Sequence, residues 1–326
     1  MAPAATAATK PSPTTKSDAI PKATALKDNK LEACGALEQI SELRKKYLAN
    51  RYLFVTGIEM RGILKTLGAS DDHLERLKDF SNHLEKDPTL PYREIRQGRY
   101  IFDYGNNSIY RTEKQNFILS RKEGFKRHDS DLYRGFPEIE DDMQQNTALQ
   151  ALFLFKSFFF HNFEAAQRPY QDYTSDKWVC TLFNVRTLTS DETLGEPALE
   201  GVHSDGVDHT MVTMVGHDNM AKESAITFVH DMYERLGIRV DEADKSLVRG
   251  VAQHWDFLDT LLIVDNEYFH SLTPLWRQDE SRRSTRDVLV FFTRKPALEG
   301  HASYGVDSLL PHKTFSLRLA LPVLHL

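Results

Sequence analysis

The chain of 326 residues is poor in cysteine and has no long apolar run. Its only cysteines are Cys34 and Cys180, which excludes a disulfide framework and a zinc site built from cysteine ligands. The most apolar stretch, 151–160, contains Lys156 and is shorter than the roughly 18 residues that a membrane helix needs. Basic residues are also in the minority, with 41 Lys and Arg against 47 Asp and Glu. We therefore expect neither a membrane nor a nucleic acid as a partner.

The first thirty residues lack aromatic side chains altogether, and the first aromatic residue is Tyr47. They contain four of the 13 prolines, and five lysines against two aspartates give them a net charge of +3. Since the whole chain carries −6, the remainder carries −9. A segment with so little to bury cannot offset its ordering entropy, so we predict a disordered tail over 1–30. It has no apolar central region of the secretory type, and we expect a cytoplasmic protein.

The apolar periodicity of the remaining residues predicts helices first and many short strands afterwards. Helices are expected at 31–49, 57–67, 71–86 and 141–167, the last with a phenylalanine-rich face. A hairpin is expected at 99–112, and strands at 178–188, 210–215, 224–229, 260–265, 268–272, 287–293 and 314–321. This order predicts an α+β fold with a double-sheet jelly-roll core. We expect one domain over 31–326, in which 31–95 is helical and 96–326 forms the core.

A candidate metal site lies in the run Glu200-Gly-Val-His-Ser-Asp-Gly206. In an extended segment His203 and Asp205 point to the same side, so an imidazole and a carboxylate can bind one metal ion together. The flanking Gly201 and Gly206 permit the sharp turns that such a strand end needs. The best third ligand is His270, because its separation of 67 residues from His203 allows several strands to return to the same place. Two histidines and one carboxylate form the facial triad of non-haem iron oxygenases.

The same His-x-Asp spacing occurs a second time, at His254-Trp-Asp256. This copy lacks flanking glycines and precedes His270 by only 16 residues, which leaves little room for intervening strands. We therefore expect His254 and Asp256 to have an ordinary packing or surface role.

A cation near the end of the chain suits a dicarboxylic co-substrate. Arg286 begins a strand whose residues 288–292 are apolar, and a guanidinium on a strand beside that of His270 can bind a carboxylate through two hydrogen bonds. The nearby alternatives are Arg282, Arg283 and Arg294, of which the first two lie in a polar loop. We expect Arg286 to bind the carboxylate far from the metal.

With these residues in this order, the chain resembles the iron(II)/2-oxoglutarate-dependent dioxygenases. More closely, it is similar to the subgroup that oxidises free aliphatic amino acids, the isoleucine-hydroxylase type. The resemblance covers about residues 95–294. The stretches that carry it are Tyr133-Arg-Gly-Phe-Pro137, Asn184-Val-Arg186, Leu199-Glu-Gly-Val-His-Ser-Asp-Gly-Val-Asp208, Leu258-Asp-Thr-Leu-Leu-Ile-Val-Asp265, Phe269-His-Ser-Leu-Thr-Pro274 and Arg286-Asp-Val-Leu-Val290.

The resemblance implies a double-stranded β-helix in which the triad of His203, Asp205 and His270 binds Fe(II). It also implies that 2-oxoglutarate chelates the iron and forms a salt bridge with Arg286, and that O2 converts it to succinate and CO2 while a C–H bond of the substrate is oxidised. Two more contacts follow from the similar segments. Arg186 is a candidate for binding a carboxylate. Glu223 is a candidate for binding a substrate ammonium group, although the subgroup's Gly-Gly-Glu-Ser segment is Ala221-Lys-Glu-Ser224 here.

Several functions remain open at this point. The leading hypothesis is hydroxylation or oxidative ring closure of a small free L-amino acid. A peptide or a larger secondary metabolite is an alternative substrate, and an open groove instead of a small deep pocket would favour it. A non-catalytic metal-binding jelly-roll protein and a hydrolytic zinc enzyme are alternatives of other classes. Arg286 argues against the first, because a mere metal site needs no carboxylate-binding cation there, and the second lacks an obvious general base. Nothing in the sequence indicates the oligomeric state.

Overall fold

The structure is a computed structural model that describes residues 30–160 and 162–321. The predicted tail 1–30 therefore lies, except for its last residue, outside the described residues. The helices are α1 (Lys30–Asn50), α2 (Gly57–Thr66), α3 (Asp71–Arg76), α4 (Asp141–Gln145) and α5 (Thr147–Phe160). None of the helices in these residues has the length and hydropathy that crossing a membrane requires.

The strands follow one another along the chain with short helical turns between some of them. They are β1 (Tyr52–Val55), β2 (Glu85–Lys86), β3 (Arg93–Asp103), β4 (Ser108–Arg111), β5 (Lys177–Thr189), β6 (His209–Asp218), β7 (Ile226–His230), β8 (Val248–Gln253), β9 (Thr260–Val264), β10 (Phe269–Leu272), β11 (Ser284–Arg294) and β12 (Arg318–Ala320). The predicted hairpin is present, since β3 pairs with β4 and Asp103 lies opposite Ser108.

In the described part of the chain, nine strands form a large sheet and three form a small one. The order across the large sheet is β1-β9-β6-β11-β5-β3-β4-β12, with β2 paired to β3, and the small sheet has the order β10-β7-β8. All of these pairings are antiparallel. The two sheets enclose a cavity to which both contribute side chains, as in a jelly roll.

The other face of the large sheet packs against the phenylalanine-rich helix α5. Phe153 lies 4.4 Å from Tyr100 and 5.8 Å from Phe291, measured between ring centroids, and Phe160 lies 5.0 Å from Phe102. The helices α1 and α2 pack against α5 and contribute to the same hydrophobic core. The N-terminal region also adds β1 to the large sheet beside β9. The helical region before β3 is therefore part of the scaffold behind the cavity.

The long helix predicted over 141–167 is interrupted and ends early. Asn146 leaves the helical conformation, with φ −65° and ψ 120°. Its side-chain oxygen accepts hydrogen bonds from the N–H groups of Ala148 at 2.8 Å and Leu149 at 3.2 Å. It therefore caps a new helix, because a side chain of this kind satisfies the free donors of the first turn. The second helix ends at Phe160.

Three other segments differ from the prediction. The third helix, predicted over 71–86, ends at Arg76 and is followed by a short 3-10 helix at Asp79–His83 and then by β2. The strand Val248–Gln253 was not predicted, because its sequence contains a glycine and polar residues instead of a clear apolar alternation. The C-terminal strand is restricted to Arg318–Ala320.

Candidate active site

The three predicted metal ligands lie together at one edge of the small sheet. A backbone bridge joins His203 to His270, and each N–H donates to the other residue's carbonyl oxygen at 2.9 Å. Asp205 reaches both imidazoles: its Oδ1 is 3.4 Å from Nε2 of His203, and its Oδ2 is 3.5 Å from Nε2 of His270. All three side chains are buried, and one ligand atom from each lies within 4.8 Å of the others. The structure thus brings His270, which is distant in sequence, next to the local pair of His203 and Asp205.

The backbone around His203 determines which ring nitrogen faces Asp205. Its Nδ1 lies 2.8 Å from the carbonyl oxygen of Gly201, and since a carbonyl oxygen only accepts, Nδ1 carries a proton. The tautomer that leaves Nε2 free is the one that a metal ion requires. Gly201 has a φ of +71°, and a Cβ there would clash with the carbonyl oxygen of Ile238. The glycine expected at this turn is therefore required on steric grounds.

A buried carboxylate behind the triad, that of Asp265, supports two of the ligands. It accepts hydrogen bonds from the backbone N–H of Asp205 at 3.0 Å, the hydroxyl of Ser204 at 2.7 Å and Nη2 of Arg168 at 3.0 Å. Its Oδ1 also lies 3.6 Å from Nδ1 of His270. Partners of this kind fix the orientation of metal ligands. No local pattern indicates this role, because the groups that meet at Asp265 come from three separate segments of the chain.

The electrostatics of the triad favour a bound cation. Burial lowers the pKa of His203, but the carboxylates of Glu200 and Asp205 outweigh burial and raise it to about 9. Burial raises the pKa of Asp205, but the imidazoles of His270 and His203 hold it below its ordinary value. A metal ion binding at Nε2 of His203 therefore displaces a proton. Two imidazole nitrogens and one carboxylate are a donor set that fits Fe(II).

The triad forms part of the wall of a cavity of about 130 Å³ between the two sheets. Strands of the large sheet and the loops between strands provide most of the wall, and the small sheet provides Thr227, His270 and Leu272. The remaining lining is largely apolar. Its aromatic members are Phe117, Phe125, Phe136, Phe183 and Phe292.

Arg286 on β11 lines this cavity and is buried. Its Nε and Nη2 have no hydrogen-bond partner among the described residues, and burial lowers its pKa to about 10, so it remains a cation at neutral pH. The neighbouring Asp287 does not pair with Arg286, because its carboxylate binds Arg186 on the other side of the strand. Of the alternatives, Arg282 and Arg283 are exposed and Arg294 forms a 2.7 Å ion pair with Asp307.

The structure does not bring the other two predicted residues to the cavity. Arg186 alternates with Val185 and Thr187, which line the cavity, and its guanidinium forms two 2.7 Å hydrogen bonds with Asp287. Glu223 is exposed in the turn before β7 and is not part of the cavity wall. The carboxylate contact of Arg186 and the ammonium contact of Glu223 therefore stay predictions that the cavity lining does not support.

One residue of the second His-x-Asp copy also lines the cavity. Nε2 of His254 donates to the carbonyl oxygen of Val212 at 3.1 Å, which leaves Nδ1 buried and without a partner among the described residues. Burial and the nearby Arg286 lower the pKa of His254 to about 3, so the ring is neutral. Asp256 is exposed and does not accompany it. His254 thus presents a hydrogen-bond acceptor beside the guanidinium, a role that sequence spacing did not indicate.

Comparison with known proteins identifies the chemistry of this site. A family profile described as 2OG-Fe dioxygenase matches residues 78–292, a range that contains the triad and Arg286. The chain belongs to the 2OG-Fe dioxygenase family. It is therefore an enzyme that uses Fe(II), 2-oxoglutarate and O2, as predicted, and the His-Asp-His cluster is the candidate iron site. The non-catalytic and zinc-hydrolase alternatives are wrong.

Individual relatives confirm the fold and show how much of each protein this chain matches. The "Bifunctional enzyme flvA" of Aspergillus flavus is 47% identical to this chain over 286 residues. The match covers 88% of this chain but only 35% of flvA, so the chain spans about a third of that relative. The solved structure of the Fe(II)/(alpha)ketoglutarate-dependent dioxygenase TqaL is 42% identical with a TM-score of 0.77, and the match covers 89% of this chain and 97% of TqaL. A bsmA homolog from Methylobium petroleophilum PM1, 19% identical with a TM-score of 0.63 over 80% of this chain and 95% of the other, shares the fold. The predicted α+β jelly-roll class is confirmed, whereas the free amino acid subgroup stays a prediction.

The support that Asp265 gives to the triad can be measured separately from catalysis. We expect Asp265→Asn to weaken metal binding by about 10- to 100-fold, because the amide loses the charge that pairs with Arg168 and one acceptor of the present hydrogen bonds. The measurement is the dissociation constant for Mn(II) without O2, obtained by competition with a chelator. The matched control is Asp218→Asn, which alters an exposed ion pair with Arg282. Equal metal affinity in both variants would contradict a supporting role.

Proposed function

We propose that this dioxygenase oxidises an unactivated C–H bond of a small free L-amino acid with an aliphatic side chain. The oxidation is either a hydroxylation or an oxidative ring closure, with release of succinate and CO2. The observation that supports this proposal is the small volume of the cavity, about 130 Å³, together with its position between two sheets. An extended peptide needs an open groove along the surface, whereas a single amino acid needs only a pocket of limited size.

The residues of the cavity have distinct tasks in this proposal. His203, Asp205 and His270 would hold iron, which supplies the activation of O2 once 2-oxoglutarate is bound. Arg286 binds the distal carboxylate of 2-oxoglutarate, since its Nε and Nη2 are unpaired and buried. His254 remains neutral beside this guanidinium, so it adds no second charge that would compete for the carboxylate.

The apolar wall selects the side chain of the substrate and excludes water. The ring of Phe183 lies 4.8 Å from that of Phe117 and 5.7 Å from those of Phe136 and Phe292, so these rings form a continuous surface. An aliphatic side chain packed on this surface is held in a fixed position relative to the triad. Fixed placement is the protein's main contribution to a selective C–H oxidation.

Substrate-dependent succinate release tests the proposal. Purified enzyme with Fe(II), 2-oxoglutarate and O2 is incubated with each common L-amino acid, and with short peptides that contain the same side chains. We expect valine-, isoleucine- or leucine-type amino acids to increase succinate formation at least about tenfold over the rate without substrate, because they fill an apolar cavity. Stimulation by the peptides but by none of the free amino acids would refute the proposal and favour a peptide hydroxylase.

A further inference from the structure

The cavity contains a second guanidinium that is not fully paired. Four arginines line it, and two of them are occupied: Arg93 binds Asp87 at 2.6 Å, and Arg127 forms two hydrogen bonds with Asp129 at 2.6 and 2.8 Å. Arg134 has only one contact with an acid, from Nη1 to Asp129 at 3.3 Å. Its Nε and Nη2 are buried and have no hydrogen-bond partner among the described residues.

Three aromatic rings hold this second guanidinium in place. The Cζ atom of Arg134 lies 5.2, 5.8 and 5.7 Å from the ring centroids of Phe117, Phe125 and Phe136. Contacts of this kind stabilise the cation without using its N–H groups. Burial and the neighbouring Arg127 lower the pKa of Arg134 to about 10, so it is charged at neutral pH. It therefore offers free, fixed donors to a carboxylate inside the cavity.

An acid in the same wall has a free oxygen beside the triad. Apart from Asp205, Glu200 is the only acid in the cavity wall formed by the described residues. Its Oε1 lies 3.3 Å from Nε2 of His203, and its Oε2 has no hydrogen-bond partner, although Nη1 of Arg127 is 3.7 Å away. Glu200 is thus placed to accept a hydrogen bond from a donor that enters next to the metal ligands.

Glu200 and Arg134 are the two ends of one chain of buried charges. Arg127 contacts Glu200 and Asp129, and Asp129 contacts Arg134, so two cations and two anions alternate. A ligand with both a carboxylate and an ammonium group pairs both ends and leaves the cluster neutral. A ligand with a carboxylate alone adds an uncompensated buried charge, which is costly in such a site. Arg286 is separate from this chain and remains available for 2-oxoglutarate.

We propose that Arg134 binds the α-carboxylate of the substrate and that Glu200 accepts hydrogen bonds from its α-ammonium group. The cavity therefore recognises an unmodified amino acid by both charged groups. This assignment rests on the proposed function, since it specifies how that substrate is bound. It also replaces Glu223, which is exposed, by an acid that lines the cavity.

The test compares each amino acid with analogues that lack one charged group. The probes are L-valine, L-isoleucine and L-leucine, their amides, which lack the carboxylate, and the corresponding deaminated acids, which lack the ammonium group. Binding to the enzyme with Fe(II) and 2-oxoglutarate but without O2 is measured by calorimetry, and KM is measured for turnover. We expect the intact amino acid to bind about 100-fold more tightly than either analogue, because each loss leaves a buried charge without its partner.

Two substitutions assign each group to its residue. Arg134→Gln should weaken binding of the amino acid but not of its amide, and Glu200→Gln should weaken binding of the amino acid but not of its deaminated acid. The KM for 2-oxoglutarate should stay within about twofold of the wild-type value in both. Arg121→Gln, which changes an exposed arginine, is the control and should keep all preferences.

The outcomes separate this assignment from the proposed function. If no free amino acid stimulates succinate release, the proposed function is wrong. If one does, but the wild-type enzyme does not distinguish it from its amide and deaminated acid, the proposed pairing is wrong, and this result requires no variant. The proposed pairing would also be wrong if the two variants distinguished the amino acid from its amide and its deaminated acid as strongly as the wild-type enzyme does. The pairing is supported if Arg134→Gln loses only the preference for the carboxylate and Glu200→Gln loses only the preference for the ammonium group. A merely misfolded variant would lose affinity for every ligand.

Discussion

Replacement of Asp205 by alanine is expected to reduce substrate-dependent succinate formation to background and to abolish tight metal binding. Asp205 is the only carboxylate of the cluster, and its oxygens lie 3.4 Å from Nε2 of His203 and 3.5 Å from Nε2 of His270. Its removal leaves two neighbouring imidazoles that repel each other when protonated and only two ligands for the ion. The measurements are the affinity for Mn(II) without O2 and the release of succinate.

The second His-x-Asp copy provides a matched control for this experiment. Asp256→Ala removes the same side chain at the same spacing from a histidine, but Asp256 is exposed and has no counterpart of His270. We expect it to keep wild-type metal affinity and succinate release within about twofold. Full metal affinity in Asp205→Ala, or equal losses in both variants, would show that the assigned cluster does not hold the iron.

The cluster of candidate metal ligands was predictable because its arrangement is mostly local. In an extended segment, residues two apart share a side, so His203 and Asp205 are neighbours whatever the rest of the fold is. The flanking glycines added a second local signal, and the structure shows that Gly201 is needed where a Cβ would meet Ile238. His270 required a longer argument, from a separation that allows several strands to return to the same place. It reaches the pair because β10 is paired with β7 and a backbone bridge joins it to His203.

The residues that surround the triad could not be predicted in the same way. Asp265 acts through contacts with Ser204, Asp205 and Arg168, which adjoin it only after folding. Arg134 was part of a stretch similar to the family, but its unpaired donors are a property of its surroundings and not of its sequence. Such roles depend on which partners are missing, and missing partners are visible only in three dimensions.

Arg186 and Glu223, the two predicted residues that do not line the cavity, illustrate the same limit. Arg186 and Asp287 lie directly opposite each other on β5 and β11, so that they pair across the strands, and the alternation of the strand places both away from the cavity. A sequence with an arginine at 186 and an acid about a hundred residues later does not reveal that their strands pair in this register. The interrupted helix at Asn146 is different, because its capping side chain was a readable local signal that the apolar periodicity on both sides concealed.

Replacement of Arg286 by methionine is expected to raise the KM for 2-oxoglutarate by about 100-fold or more. The guanidinium is buried, its Nε and Nη2 have no partner among the described residues, and Asp287 is already bound to Arg186. A carboxylate that enters therefore finds an unshared cation, and its loss leaves the carboxylate desolvated without compensation. The control is Arg282→Met at an exposed ion pair, for which we expect an unchanged KM.

The choice of 2-oxoacid decides whether Arg286 acts through the distal carboxylate. 2-Oxopentanoate has the same chain length as 2-oxoglutarate but no second carboxylate. The wild-type enzyme should prefer 2-oxoglutarate strongly, and Arg286→Met should lose most of this preference while its KM for the amino acid and its metal affinity change little. If the variant kept the preference, the distal carboxylate would have to be bound by another cation of the cavity. Arg134 is then the remaining cation with free donors. In that case the assignment of Arg134 to the α-carboxylate of the substrate would fail together with the assignment of Arg286 to 2-oxoglutarate.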